Sequence, residues 1–231
     1  MSYIAENLES IRKGIKDAAE SAGRSVADVK LIAVTKTYGV DVINEAIDCG
    51  VTDIGENRVQ EIMEKYDHVK PVRWHLIGHL QKNKVKYIID KVSLIHSVDS
   101  LGLAEEINKQ AAKIGKVQDI LIQVNVSGEE SKFGVSPEEC NDLCEKISGL
   151  SNVRICGLMT VAPFTDDEEL LGKVFDGLRQ ISLDILSKKA DTVYMNELSM
   201  GMTNDYPLAI ANGATMIRVG PAIFGKRNYN I

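Results

Sequence analysis

The sequence predicts an α/β protein: a single (β/α)8 TIM-type barrel of eight parallel strands with one extra N-terminal helix. Three observations lead there. About eight short β-rich runs alternate with helix-patterned stretches, which implies parallel βαβ units. The 231 residues fall in the range of roughly 200 to 250 in which such barrels commonly form one domain. No GxGxxG follows the first strand and no residual strand suggests an open edge, which disfavours a doubly wound sheet. The expected organisation is one domain over 1–231.

The chain opens with Ile4, Leu8, Ile11, Ile15 and Ala18 at alternating spacings of four and three, one apolar stripe on a helix ending near Gly23. LIAVT at 31–35 is the first strand. VDVINEAIDCG then takes helical spacing and ends in a glycine suited to a C-cap. Strands follow at 52–56 (TDIGE), 72–78 (VRWHLIG) and 93–98 (SLIHSV), the last leading into the helical SLGLAEEINKQAAKIG. The alternation continues with DILIQVNV at 119–126, VRICGLM at 153–159, TVYMNELS at 192–199 and TMIRVG at 215–220. No linker, repeat or charge block interrupts it beyond the solvated DDEE at 166–169.

The composition is that of an ordinary soluble globular chain, 44% hydrophobic and 26% charged. A net charge of -6 leaves no basic excess for nucleic acid or an anionic membrane, so an anionic ligand has to be met by local geometry. No apolar run approaches the roughly 20 residues that cross a bilayer. Glu6 and Glu9 stand where a signal peptide would be apolar, so a cytoplasmic location is expected. Cys49, Cys140, Cys144 and Cys156 are too few and too irregular for a disulfide framework, and reduced thiols are expected. Neither the Cys140/Cys144 pair nor the His75/His79 pair has completing ligands in a suitable geometry, so no metal is expected.

In a barrel of this type the chemistry sits just after each strand. The polar residues there are Lys36, Glu56 with Asn57, His79, Asn125, Ser199 and Arg218 with Gly220, beside the apolar Met159. Lys36 directly follows the first strand. It is either a solvated surface amine or a Schiff-base lysine made nucleophilic by desolvation or neighbouring cations. Asn57 reads as an N-cap or as an amide in reach of a ring substituent. Trp74 and His75 read as packing residues, His79 as lining the site, and His68 and His96 carry no signal. SMGMTNDYP at 199–207 supplies hydroxyls at Ser199 and Thr203, a flexible Gly201, and a helix start at Asn204, Asp205 and Pro207. RVGPAIFG at 218–225 repeats the scheme with Gly220 and Pro221. Two such turns after the seventh and eighth strands form a phosphate cup, unless both are merely capped turns. A mouth lysine with a phosphate cup suits an aldehyde-bearing phosphate, either pyridoxal 5'-phosphate or an open-chain sugar phosphate. Arg218 favours the first, as a donor to a pyridine nitrogen; a Schiff-base aldolase would need a carboxylate relay beside its lysine.

AVTKT around Lys36, GENRVQE at 55–61, WHLIGHLQKNK at 74–84, GLMTVAP at 157–163, ELSMGMTND at 197–205 and IRVGPAIFG at 217–225 together closely resemble the pyridoxal phosphate homeostasis protein family. That family has the barrel of the alanine racemase N-terminal domain. The resemblance spans the chain from the first strand to residue 225. It implies a Schiff base between Lys36 and pyridoxal phosphate and contact of Arg218 with the pyridine nitrogen. It further implies phosphate contacts by Ser199, Gly201, Thr203 and Gly220, with Asn57, His79 and Met159 around the ring. Two positions depart from the family pattern. Pro221 lacks an amide hydrogen, so one phosphate contact is lost or comes from Ala222, and Tyr38 stands where some relatives carry a second lysine.

The function so implied is vitamin B6 homeostasis, with the cofactor held or delivered, apo pyridoxal-phosphate enzymes as candidate recipients, and no or negligible catalysis by a monomer or weak dimer. The alternative is an amino-acid racemase. That reading needs an acid/base residue on the far face of the substrate, usually supplied by a second domain or a partner chain, and no second domain is expected after Gly225. Tyr38, Tyr206 and Tyr229 are the candidates for such a role. A sugar-phosphate aldolase is the third reading.

Overall fold

The computed structural model describes residues 2–188 and 193–225. Eight strands close in chain order into one parallel barrel. They are β1 Lys30–Val34, β2 Asp53–Glu56, β3 Arg73–Leu76, β4 Leu94–Val98, β5 Gln118–Gln123, β6 Val153–Met159, β7 Val193–Met202 and β8 Met216–Val219. The seam is direct: Lys30 to Ala33 of β1 pair in register with Met216 to Val219 of β8. All eight expected strands are present.

The α-helices are α1 Tyr3–Ser21, α2 Val40–Asp48, α3 Val59–Lys65, α4 Leu101–Lys113, α5 Pro137–Ser148, α6 Glu168–Ser187, α7 Tyr206–Ala211 and α8 Pro221–Phe224. The connection from β3 to β4 departs from the expected helix and is a 3-10 segment, Lys82–Tyr87. Only Val85 of that segment is buried, so no apolar stripe exists to pack a full helix on the barrel.

The extra helix forms as its stripe requires, with Ile4, Leu8, Ile11, Ile15 and Ala19 buried. The stripe ends on Ala19, and Ala18 is only half-buried. Ser2 caps the first turn through the amide of Ala5, and Gly23 gives the left-handed exit at φ 67. Tyr3 Oη donates to the Phe224 carbonyl at 3.2 Å and Asn7 Nδ2 to that of Ile223 at 2.9 Å, so α1 is latched to α8.

Apolar side chains divide into a large layer between barrel and helices and a small cluster of Ile32, Leu94, Leu121, Met159 and Met216 inside the barrel. Ion pairs, most of their members partly exposed, link strands to one another. Arg73 pairs with Asp53, Arg154 with Asp119, and Lys30 with Glu197. Among the described residues no helix is long and apolar enough to cross a membrane.

Candidate ligand site at the barrel mouth

Lys36 lies two residues past β1, in a turn. The next residue, Thr37, has φ 70, a left-handed backbone that a β-branched residue adopts only when its surroundings hold it there. The holding groups are buried except for the half-buried Glu61. Lys65 Nζ donates to the Thr35 carbonyl at 3.0 Å, to Glu56 Oε1 at 2.8 Å and to Glu61 Oε2 at 2.7 Å. Thr35 Oγ1 donates to Glu56 Oε1 at 2.7 Å, and Glu61 Oε2 accepts the Thr37 amide at 2.8 Å. Both flanks of Lys36 are thus tied to one ammonium and two carboxylates. Burial pushes Glu56 up to about 7 against the opposing charge and hydrogen bonds of Lys65 and the hydroxyl of Thr35. Glu61 is desolvated too, but its bonds from Lys65 and Thr37 hold it below the usual carboxylate range. Tyr38 closes the segment, with Oη donating to the Gly225 carbonyl at 2.7 Å and its ring 4.8 Å from that of Phe224.

Across the mouth from Lys36 a cavity of about 340 Å³ is lined by Phe164, Met202, Thr203, Asp205 and Pro221 as well as Lys36 itself. Gly201 shapes this wall: at φ 90, an added Cβ would lie 2.6 Å from Ala209 Cβ, so only glycine lets the end of β7 lie on α7. Asp205 is the N-cap of α7 but makes no side-chain bond to it. Its carboxylate accepts the Met202 amide instead and folds the 202–205 turn. Burial raises the Asp205 pKa, against that amide and the charge of Arg218. Gly220 is the N-cap of α8, and because Pro221 has no N–H the first amide of that helix is that of Ala222.

Arg218 is 5% exposed. Its Nη1 donates to Ser199 Oγ at 2.6 Å and its Nη2 to the Thr160 carbonyl at 2.9 Å. Burial lowers its pKa to about 10, with Asp205 opposing, so the guanidinium is cationic at neutral pH and can only donate. Met159, the last residue of β6, belongs to the interior cluster.

The remaining sequence candidates make contacts of their own. Asn57 is not the N-cap of α3; Arg58 is, and without a side-chain bond. The Asn57 backbone instead packs so closely on Gly78 that a Cβ there would lie 2.4 Å from its carbonyl oxygen. The His79 ring is stacked 4.1 Å from that of Phe133, with Nδ1 3.6 Å from Asp99. Asn125 folds onto its own loop through the Glu129 carbonyl. Tyr206 faces α1, its hydroxyl where a Cβ on Gly14 would sit, and Tyr229 lies outside the described residues. Among the described residues no group of three or more His, Cys, Asp or Glu side chains is arranged to hold a metal.

Sequence reasoning passed over Lys65 and Glu61, and it gave His75 a packing role and His96 none. Both histidines are buried and bonded to each other, His75 Nδ1 to His96 Nε2 at 2.9 Å. A signal was present: each histidine interrupts an apolar strand at its third residue, in RWHL and LIHSV. A polar residue inside such a strand needs polar partners within the barrel.

The fold and the mouth define a TIM-type barrel with a ligand-sized cavity at the C-terminal ends of its strands, a lysine on one wall and a glycine-shaped turn on the other. The chain belongs to the family described as alanine racemase, N-terminal domain, which matches residues 7–228. A pyridoxal phosphate homeostasis protein of Aquifex aeolicus (strain VF5) is 44% identical over 226 residues, 97% of this chain and 98% of that protein. PipY of Synechococcus elongatus PCC7942, solved with PLP bound, has a TM-score of 0.84 at 34% identity, over 96% of this chain and 100% of its own. An alanine racemase of Clostridium difficile 630 shares the fold at a TM-score of 0.75 and 18% identity; the match covers 97% of this chain and 58% of the racemase.

Proposed function

We propose that this chain binds pyridoxal 5'-phosphate and serves intracellular vitamin B6 homeostasis, holding the cofactor on Lys36 as a Schiff base with no or negligible turnover. The observation that carries the reading is the single cavity shared by Lys36 and the 202–205 turn, with the cationic Arg218 buried close by. The donor set fits the ligand. An amine suits the aldehyde, the hydroxyl of Thr203 and the amides around Gly201 and Gly220 suit the phosphate, and a guanidinium that can only donate suits an unprotonated pyridine nitrogen. Asn57, His79 and Met159 surround the ring in this reading, and Ser199 joins the phosphate group of residues. The cofactor supplies an aldehyde carbon and an electron-withdrawing ring. The chain's own residues fix the lysine backbone, receive the phosphate and keep the ring nitrogen unprotonated. Resemblance to relatives named for pyridoxal phosphate homeostasis supports the physiological part. Release to apo pyridoxal-phosphate enzymes, a cytoplasmic location and a monomeric or weakly dimeric state belong to the same proposal.

The test is borohydride reduction of the protein incubated with pyridoxal phosphate, followed by peptide mass mapping. Reduced cofactor mass is expected on the peptide containing Lys36. Its appearance only on another lysine would remove Lys36 from the role.

A further inference from the structure

A chain of buried polar groups runs along the barrel interior from the mouth to the opposite rim. Arg218 Nη1 lies 2.6 Å from Ser199 Oγ, which lies 2.9 Å from His96 Nδ1. His96 Nε2 lies 2.9 Å from His75 Nδ1, and His75 Nε2 lies 3.0 Å from Asp53 Oδ1. Asp53 takes a two-pronged bond from Arg73 at 2.7 and 2.6 Å. All members but Arg73 are buried, and they come from β8, β7, β4, β3 and β2, so the chain crosses the barrel.

Its two ends fix the direction of every bond. Asp53 is desolvated, yet the bonds from His75, Arg73 and Thr52 outweigh burial and keep it ionised, so it only accepts. His75 therefore carries its proton on Nε2, and its bare Nδ1 accepts from His96 Nε2–H. His96 Nδ1 is then bare as well, and the remaining donor is the hydroxyl of Ser199. Ser199 Oγ in turn accepts from Arg218, which has nothing but donors. Burial, the largest influence on both rings, disfavours the cationic form of each. Every donor from Arg218 to His75 thus points away from the mouth and toward Asp53.

We infer that Asp53, His75, His96 and Ser199 form a one-way hydrogen-bond line that positions the guanidinium of Arg218 at the mouth, and that the Ser199 hydroxyl belongs to this line and not to the phosphate cup. The inference rests on the proposed ligand only for its second half. In Ser199 both the proton and the lone pair facing the guanidinium are already engaged. Any service to a phosphate falls to its backbone, and the discriminating hydroxyl of the turn is that of Thr203.

Two measurements test the line. Nitrogen-15 NMR of the histidine side chains in the full chain without added cofactor should show His75 and His96 neutral, each as the single Nε2–H tautomer, from pH 6 to 8. Either ring found cationic or carrying a proton on Nδ1 would overturn the line, whatever the ligand is. In Asp53→Ala the acceptor that fixes the first bond is gone, and both rings should lose their single Nε2–H tautomer although the substitution lies at the far end from the mouth. Unmoved His96 signals in the folded variant would overturn the coupling. The second measurement is the ratio of affinities for pyridoxal phosphate and pyridoxal. Ser199→Ala should weaken both about equally and leave the ratio within about twofold of wild type, whereas Thr203→Ala should lower it about tenfold. A tenfold loss of the ratio in Ser199→Ala would return its hydroxyl to the phosphate cup. If wild type binds neither compound, the proposed function fails while the tautomers still decide the line.

Discussion

Lys65 Nζ stands 2.8 Å from Glu56 Oε1, and Glu56 is completely buried, with Oε2 lacking a hydrogen-bond partner among the described residues. The pair holds the end of β2 to the residue before Lys36, so the lysine's backbone is set by a charge cluster beneath the mouth and not by the mouth itself.

Glu56 makes stability depend on pH. Its carboxyl moves from an ordinary 4.5 to about 7 on folding, so the folded chain holds a proton that the unfolded chain has released between those values. Stability from this group is therefore greatest below 4.5, falls as pH rises to 7 and is level above it, by roughly 3 kcal/mol at about 1.4 kcal/mol per unit. His75 and His96, disfavoured as cations by burial, tilt stability the opposite way as pH falls through the ordinary histidine range. The readout is thus the difference between wild type and Glu56→Gln in urea unfolding at pH 5 and pH 8. The variant should gain relative to wild type as pH rises, and a pH-independent difference would contradict the assignment.

The phosphate should dominate affinity. Each charge-assisted hydrogen bond contributes roughly 1.5 to 3 kcal/mol, so pyridoxal should bind wild type at least tenfold more weakly than its phosphate in titrations followed by absorbance. Equal affinities would be incompatible with a phosphate site at the 202–205 turn.

Arg218→Ala should weaken cofactor binding about tenfold to a hundredfold, the equivalent of one charged hydrogen bond, and leave Lys36 able to react with the aldehyde. In the proposed complex a donor-only guanidinium faces the ring nitrogen, which would leave a poor electron sink for a substrate carbanion. Added D- or L-amino acids should racemise or transaminate at well under about 1 s⁻¹, the lower end of the usual enzyme range. Faster turnover in a chiral assay would overturn the non-catalytic reading.

Gly201→Ala combines a backbone at φ 90 with a Cβ 2.6 Å from Ala209 Cβ, so the end of β7 and α7 must separate. A loss of stability of about 1 to 3 kcal/mol is expected, accompanied by weaker cofactor binding. Thermal unfolding indistinguishable from wild type would show that the turn relaxes freely.

The barrel was legible because parallel βαβ units leave a periodic trace. Each strand had its short β-rich run, and the N-terminal helix had its stripe at Ile4, Leu8, Ile11 and Ile15. The β3 to β4 connection misled because KNKVKY lies between two clear strands where a helix is the rule, although its lysines alternate without a helical stripe. At the mouth, Lys36, Thr203 and Arg218 were legible because each lies within two residues of a strand's C-terminal end. Glu61 and Lys65 were not, because their role comes from a helix folding back on Thr35 and Thr37. The line through His75 and His96 was hidden for a related reason: local sequence reports which face of a strand a residue occupies, but not which residue meets it from across the barrel.

The latch between α1 and α8 joins groups 221 and 216 residues apart along the chain, and the barrel closes where β1 pairs with β8. On a ribosome, the wall bearing Lys36 therefore emerges long before the strand bearing Arg218, by on the order of ten seconds or more at roughly 5 to 20 residues per second. Until the last strand arrives the first has an open edge and the mouth has no far side. Under the proposed function, a reactive aldehyde meeting the nascent chain finds an ordinary lysine, and capture begins only once synthesis has delivered the seam.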